Sequence, residues 1–270
     1  MKLAFARIAA LTITVFGLSA AASAHNLWLL PSSTTVSAPQ WITVDAAVSN
    51  DLFYFNHNAL ALDGLSISAP DGNTLQPENV ARGKLRNSFD VNLAQPGTYR
   101  LAVTRSGVMA SWTENGQRKR WGGEPAAFEK SVPADATELQ VNQSVGRIET
   151  FVTVGKPSTD VFKPSGVGLE LVPVTHPNDL VVGEPARFQF LIDGKPAAGL
   201  DVELIPGNSR YRDKLDERKY TTDAEGRVSL AFDAPGMYWL SASAKDDKVA
   251  IKQAKERRLS YAATIEVMAP

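Results

Sequence analysis

With 270 residues, a net charge of −1 and no cysteine, the chain has room for one large domain or two of ordinary size. The near-neutral balance offers no basic field to recruit nucleic acid or an anionic membrane. Without cysteine there is no disulfide, lipid-anchored lipoprotein, thioether-attached haem or thiolate ligand, so any metal must be held by nitrogen and oxygen.

The first predicted element is a secretory signal peptide. Lys2 and Arg7 supply a short positive start, Ile8 to Ala20 is an apolar run, and small residues fill Ala20-Ala21-Ala22-Ser23-Ala24. Signal peptidase has shallow pockets one and three residues before its cut, and Ala22 and Ala24 suit them. Residues 1–24 are therefore expected to be removed, leaving His25 as the first mature residue. Cleavage after Ala22 is the alternative and leaves Ser23-Ala24-His25. The apolar run is too short to span a hydrocarbon core of about 30 Å comfortably, and no later apolar stretch is long enough. The processed protein is thus expected to be periplasmic or secreted and not membrane-spanning.

Period-two alternation dominates the mature chain. It predicts strands at Trp41–Val48, Phe89–Leu93, Thr98–Val103, Glu149–Val154, Ala186–Ile192 and Arg227–Phe232. Turn signals separate them, at Pro70-Asp71-Gly72-Asn73, Gln95-Pro96-Gly97, Asp193-Gly194-Lys195-Pro196 and Asp223-Ala224-Glu225-Gly226. A weak repeat links the two parts of the chain: Leu93-Ala94-Gln95-Pro96-Gly97-Thr98-Tyr99-Arg100-Leu101 is matched by Phe232-Asp233-Ala234-Pro235-Gly236-Met237-Tyr238-Trp239-Leu240. The Pro, Gly and Ser of 156–166 read as a linker. The fold expected is all-β, with two immunoglobulin-like β-sandwich domains at 25–155 and 167–270. Ser111 to Pro133 fits no strand pattern and reads as a long loop or short helix. Lys245 to Leu259 reads as an exposed helix or a solvated hairpin arm.

His25 carries the sharpest chemical signal. A histidine at the amino terminus offers its α-amine and ring Nδ1 to one metal as a six-membered chelate, and the amine has an ordinary pKa near 8, so a metal displaces its proton readily. In third position, after the alternative cut, it would bind copper or nickel in a square plane. His57 is the natural partner, in Asn50-Asp51-Leu52-Phe53-Tyr54-Phe55-Asn56-His57-Asn58, a stretch too polar at its ends for a core strand and too aromatic for an ordinary loop. Asp51 and Asn56 are placed to orient an imidazole. The bland reading makes His25 a frayed end and His57 a half-buried loop histidine. His176, the third histidine, lies in His-Pro and Asn-Asp turn chemistry and reads as structural. Arg210-Tyr211-Arg212 reads as a charged hairpin end, with anion binding as the alternative. There is no phosphate-binding glycine loop, nucleophile elbow or HExxH helix.

Ala24-His25-Asn26-Leu27-Trp28-Leu29-Leu30-Pro31-Ser32 resembles the mature start of the bacterial family called domain of unknown function 4198. The resemblance continues through Trp41 to Leu65 and resumes over Gly168 to Leu180 and Asp193-Gly194-Lys195-Pro196. It implies an exported protein, since some members are described as periplasmic components of nickel or cobalt uptake and others accompany iron-uptake genes. An old label of the family as a lysozyme-type hydrolase implies an α/β barrel, and this chain has no βα alternation. His25 corresponds to the family's leading histidine, whereas His57 has no assigned counterpart.

The expected function is therefore binding of a transition-metal ion (copper, nickel or cobalt) through His25 and His57 in the periplasm, for a membrane uptake complex. A copper-dependent oxidase or monooxygenase is the rival, and a metal-free module binding protein or glycan is the third reading.

Overall fold

The computed structural model describes residues 25–270, so the expected signal peptide lies outside the described residues. The first part of the chain forms β1 (Asn26–Pro31), β2 (Thr35–Val36), β3 (Gln40–Ser49), β4 (Asn58–Ala59), β5 (Leu65–Ser68), β6 (Thr74–Leu75), β7 (Glu78–Arg82), β8 (Asn87–Leu93), β9 (Gly97–Glu114), β10 (Gln117–Gly123) and β11 (Thr137–Val154). The second part forms β12 (Leu169–Pro173), β13 (Ala186–Ile192), β14 (Lys195–Pro196), β15 (Asp201–Pro206), β16 (Arg218–Thr221), β17 (Arg227–Leu230), β18 (Gly236–Asp246) and β19 (Arg257–Val267). Among the described residues the one α-helix is the four-residue Phe128–Ser131. The fold is all-β, as the alternation implies.

Three sheets carry these strands. One small sheet runs β1-β3-β8-β7 with β4 on β3, and a second runs β12-β13-β14 with β17 on β13. Between them lies a ten-stranded sheet, β16-β15-β18-β19-β11-β9-β5-β6, with β10 added to β9 and β2 to β11. The two parts of the chain meet in this sheet through parallel pairing of β11 and β19, from Gln143↔Arg257 to Thr150↔Thr264.

The small sheets cover opposite faces of the large one. Residues paired across a ladder share a face, and successive residues alternate. Ile148 belongs to the first core, with Leu29, Val44, Phe89, Leu101 and Val152, and it pairs with Ala262. The next residue, Ala263, belongs to the second core, with Phe188, Phe190, Leu240 and Tyr261, and it pairs with Glu149. Each part is an immunoglobulin-like sandwich that uses one side of a common sheet.

The sequence repeat has a physical basis. Tyr99 donates its hydroxyl to the Gln95 carbonyl at 3.0 Å, and Tyr238 donates to the Ala234 carbonyl at 2.8 Å. Both tyrosines are buried and reach back four residues over the Pro-Gly turn, the tyrosine-corner device of such sandwiches. Gly97 and Gly236 adopt φ of 122° and 132°, a region that side chains disfavour.

One expectation needs revision, and two others gain detail. Ser111 to Pro133 is neither loop nor helix in the main: β9 runs on to Glu114 and turns into β10. Val108, Ala110 and Trp112 alternate inward, but the charges of Arg118, Lys119 and Arg120 on the outer strand mask the pattern. Lys245 to Leu259 is the end of β18, a loop and the start of β19, which is the hairpin reading and not the helix. The 156–166 stretch is packed down: Val161 and Phe162 are buried, and Phe162 meets Phe151 edge-on at 5.5 Å. Thr98 and Ser158 exchange two hydrogen bonds, of 3.0 and 3.1 Å, which fasten it to β9.

Candidate metal site

β3 positions both histidines of the expected pair. On one flank Asn26 of β1 pairs with Ser49, and on the other Asn58 of β4 pairs with Val48. His25 and His57 immediately precede those two residues, so they approach the end of β3 from opposite sides. Strands flanking a third lie about 10 Å apart, a gap that two side chains reaching inward can close. The rings stack with centroids 3.7 Å apart and planes 28° from parallel. His25 is exposed and His57 half-buried.

A chain of hydrogen bonds ties the two histidine-bearing segments together. Trp28 donates its indole N–H to Ser49 Oγ at 2.8 Å, and Ser49 donates to the Asp51 carbonyl at 2.7 Å. Asn56 donates from Nδ2 to Asp51 Oδ2 at 2.6 Å and accepts from the Asn50 N–H at 3.1 Å. The path starts three residues after His25 and ends one residue before His57. Asp51 and Asn56 thus shape the loop beside His57, and among the described residues neither side chain hydrogen-bonds its ring. Trp28 is fully buried, and Phe53 and Phe55 pack on it at 5.6 and 5.5 Å. The Arg86 guanidinium lies 4.4 Å above the Phe55 ring and pairs with Asp45 at 3.3 Å. Burial raises the Asp45 carboxyl above its ordinary range, against the opposing pull of Arg86.

The donors here are nitrogen. Among the described residues no group of three or more His, Asp or Glu side chains is gathered about one point, and the Asp51 carboxylate is engaged by Asn56. Stacked imidazoles aim their lone pairs side by side, within the ring planes. To share an ion, one ring must turn edge-on, and the exposed His25 has the freedom to do so. Were residue 25 to begin the chain, the α-amine would join the set as a third nitrogen.

The family model described as Domain of unknown function (DUF4198) matches residues 22–246. The chain belongs to the DUF4198 family. No curated protein matches this DUF4198 chain in sequence. Solved structures that align with it include the D0-D1 domain of intimin, at 14% identity and a TM-score of 0.23, covering 89% of this chain and 97% of that one. A DUF4785 family protein from Legionella pneumophila aligns at 9% identity and 0.23, covering 79% and 50%. The Yersinia pseudotuberculosis adhesin InvE aligns at 10% and 0.22, covering 89% and 60%. Scores of this size carry no functional argument.

The third histidine of the DUF4198 chain stands apart from the pair. His176 Nδ1 accepts the Asn178 N–H at 3.1 Å, and Nε2 faces Thr98 Oγ1 at 2.9 Å and the Ser158 carbonyl at 3.3 Å. The Asn178 bond requires Nδ1 to be unprotonated, and burial lowers the ring's pKa. Both nitrogens are occupied by the fold, which is the structural reading. In the Arg210-Tyr211-Arg212 segment, Arg212 donates to the carbonyls of Pro206 and Gly207, at 2.9 and 2.6 Å, and pairs with Asp216 at 2.9 Å. It closes a turn, as a hairpin end should.

Sequence reasoning missed a buried ionic cluster where the two parts of the chain join. Glu149 is fully buried, and it accepts from Arg100 Nε at 2.8 Å, Arg147 Nη1 at 3.1 Å and the Tyr261 hydroxyl at 2.9 Å. Arg147 also reaches the fully buried Glu170 at 3.3 Å. Burial, reinforced by Glu149, raises the Tyr261 phenol well above the usual tyrosine range.

Proposed function

We propose that this DUF4198 protein binds one transition-metal ion in the periplasm through His25 and His57 and presents it to a membrane uptake complex. The observation that carries the reading is the meeting of two imidazoles, from segments 32 positions apart in sequence, across the end of one strand. Nitrogen donors without thiolate suit copper, nickel or cobalt, and copper gains most from each nitrogen. Processing at His25 adds the amine and completes a three-nitrogen set. Membership of a family with exported members linked to nickel and cobalt uptake supports the location and the partner. Among the described residues no helix is long and apolar enough to cross a membrane.

Calorimetric titration of the protein beginning at His25 with copper, nickel and cobalt tests this. One equivalent should bind, and affinity should fall on acidification because protons compete for the same lone pairs. His25→Ala and a chain carrying one extra residue before His25 should both lose the chelate, and His57→Ala should weaken binding less. If the extended and His25→Ala proteins bind as tightly as the parent, the site is wrong.

A further inference from the structure

The histidine loop is held from the far part of the chain as well as from its own sandwich. Trp28 and Leu52 pack with Ile205, Trp239 and Ala262, and the Trp239 indole N–H donates to the Leu27 carbonyl at 3.0 Å, two residues beyond His25. Phe53, four residues before His57, has the left-handed φ of 64°, which a bulky side chain adopts only when its surroundings impose it. Its ring lies against Gly207: a Cβ placed there would stand 3.1 Å from Phe53 Cδ2. The next residue, Tyr54, carries the Arg210 guanidinium 5.0 Å above its ring and lies beside the exposed Tyr211. The 206–212 turn therefore grips two consecutive residues of the loop that presents His57, while Trp239 holds the strand that presents His25.

We propose that this turn is a clasp that positions the two histidines, so that closing it retains the metal ion and prying it open releases the ion to the receiving partner. The inference rests on the metal-binding reading above and adds the means of release. Both imidazoles are carried by the first sandwich, yet their separation depends on contacts made by the second. Loss of those contacts frees Phe53 to leave its left-handed conformation. His57 then leaves His25, and a shared ion loses a ligand. Arg210, Tyr211 and Gly207 are positioning residues that touch no metal.

Copper-loaded protein beginning at His25 provides the test, by stopped-flow transfer of the ion to a chromophoric chelator. Arg210→Ala with Tyr211→Ala removes the grip on Tyr54 from the exposed side. It should speed release about tenfold and weaken affinity by the same factor, with the thermal midpoint unchanged. Phe53→Gly keeps the left-handed backbone accessible but deletes the wedge, and should also speed release. Arg210→Lys, which keeps a cation over Tyr54, should restore most of the retention. Release rates equal to the parent's in both weakened proteins would overturn the clasp while leaving the metal site standing. A parent protein that binds no metal would instead defeat the reading beneath it, and the clasp with it.

Discussion

Each sandwich leaves one stretch of the common sheet uncovered by its own small sheet, and the two stretches are closed in different ways. On the first part the cover is the packed 156–166 segment, over a face that carries Arg100, Glu149 and Phe151. That closure is ionic and saturated: Glu149 accepts from three side chains, and Arg100 also donates to the Val161 carbonyl at 3.3 Å. On the second part the cover is aromatic, with Trp28, Leu52 and Phe53 over Ile205, Trp239 and Ala262. It ends at the surface in two stacked histidines whose ring nitrogens have no protein partner among the hydrogen bonds of the described residues. A saturated polar cluster has nothing left to offer a ligand. An apolar wall edged by unengaged donors does, and for this reason the candidate site is placed at the second closure.

The contrast can be broken first at its ionic side. Glu149→Gln removes the buried charge that Arg100 and the half-buried Arg147 share, and should destabilise the protein by about 3–5 kcal/mol in urea denaturation. Metal binding by the folded fraction should stay as it was. On the aromatic side, Trp28→Phe deletes the bond to Ser49 and leaves a polar atom short of its donor, for a loss of about 1–3 kcal/mol. That variant should also weaken metal binding, because the hydrogen-bond chain to Asn56 begins there. If it unfolds more readily but binds as before, the chain does not position His57.

A third test concerns pH. Burial depresses the pKa of His176 in the folded protein, so the unfolded chain takes up the proton more readily. Its contribution to stability is full above the unfolded value of about 6.5 and declines as pH falls from there toward the folded value. Asp179 opposes the shift from the same loop, and the Ser158 carbonyl does so from the packed segment. His176→Gln should flatten the slope of melting temperature against pH in this mildly acid window. The smallest expected effect on stability is at the candidate site itself. His25→Ala removes an exposed side chain and should change the unfolding free energy by within about 0.5 kcal/mol, yet it should abolish the chelate. A large loss of stability there would recast the histidines as structural.

Much of this was legible in the amino-acid order. Ala186–Ile192 is a strand with the bounds that alternation indicates, and Trp41–Val48 lies within Gln40–Ser49. The Pro-Gly repeat pointed to two related sandwiches because each tyrosine's bond to a carbonyl four residues back is local, and local geometry leaves a local pattern. His25 and His57 stood out by their surroundings, but the reason they meet is the double pairing of β3, a register that no short window contains. The union of β11 with β19 was invisible for the same reason: parallel partners more than a hundred residues apart leave no turn between them to read. Arg100 and Glu149 sit at alternating positions that ordinarily face water, and only the packing of 160–162 and Tyr261 turns them inward.

The place of β19 in the common sheet bears on how the molecule is made. It lies between β18 and β11, although it comes last in sequence among the described strands. Until residues 257–267 are available, β11 keeps an open row of amide and carbonyl groups along eight residue positions, Gln143 to Thr150. A long naked edge of this kind is a template for another copy of the same chain. Any shortened form that lacks the last strand should therefore fail by self-association through β11 and not by simple unfolding. The described strand furthest along the sequence is thus the one that seals this edge against other copies.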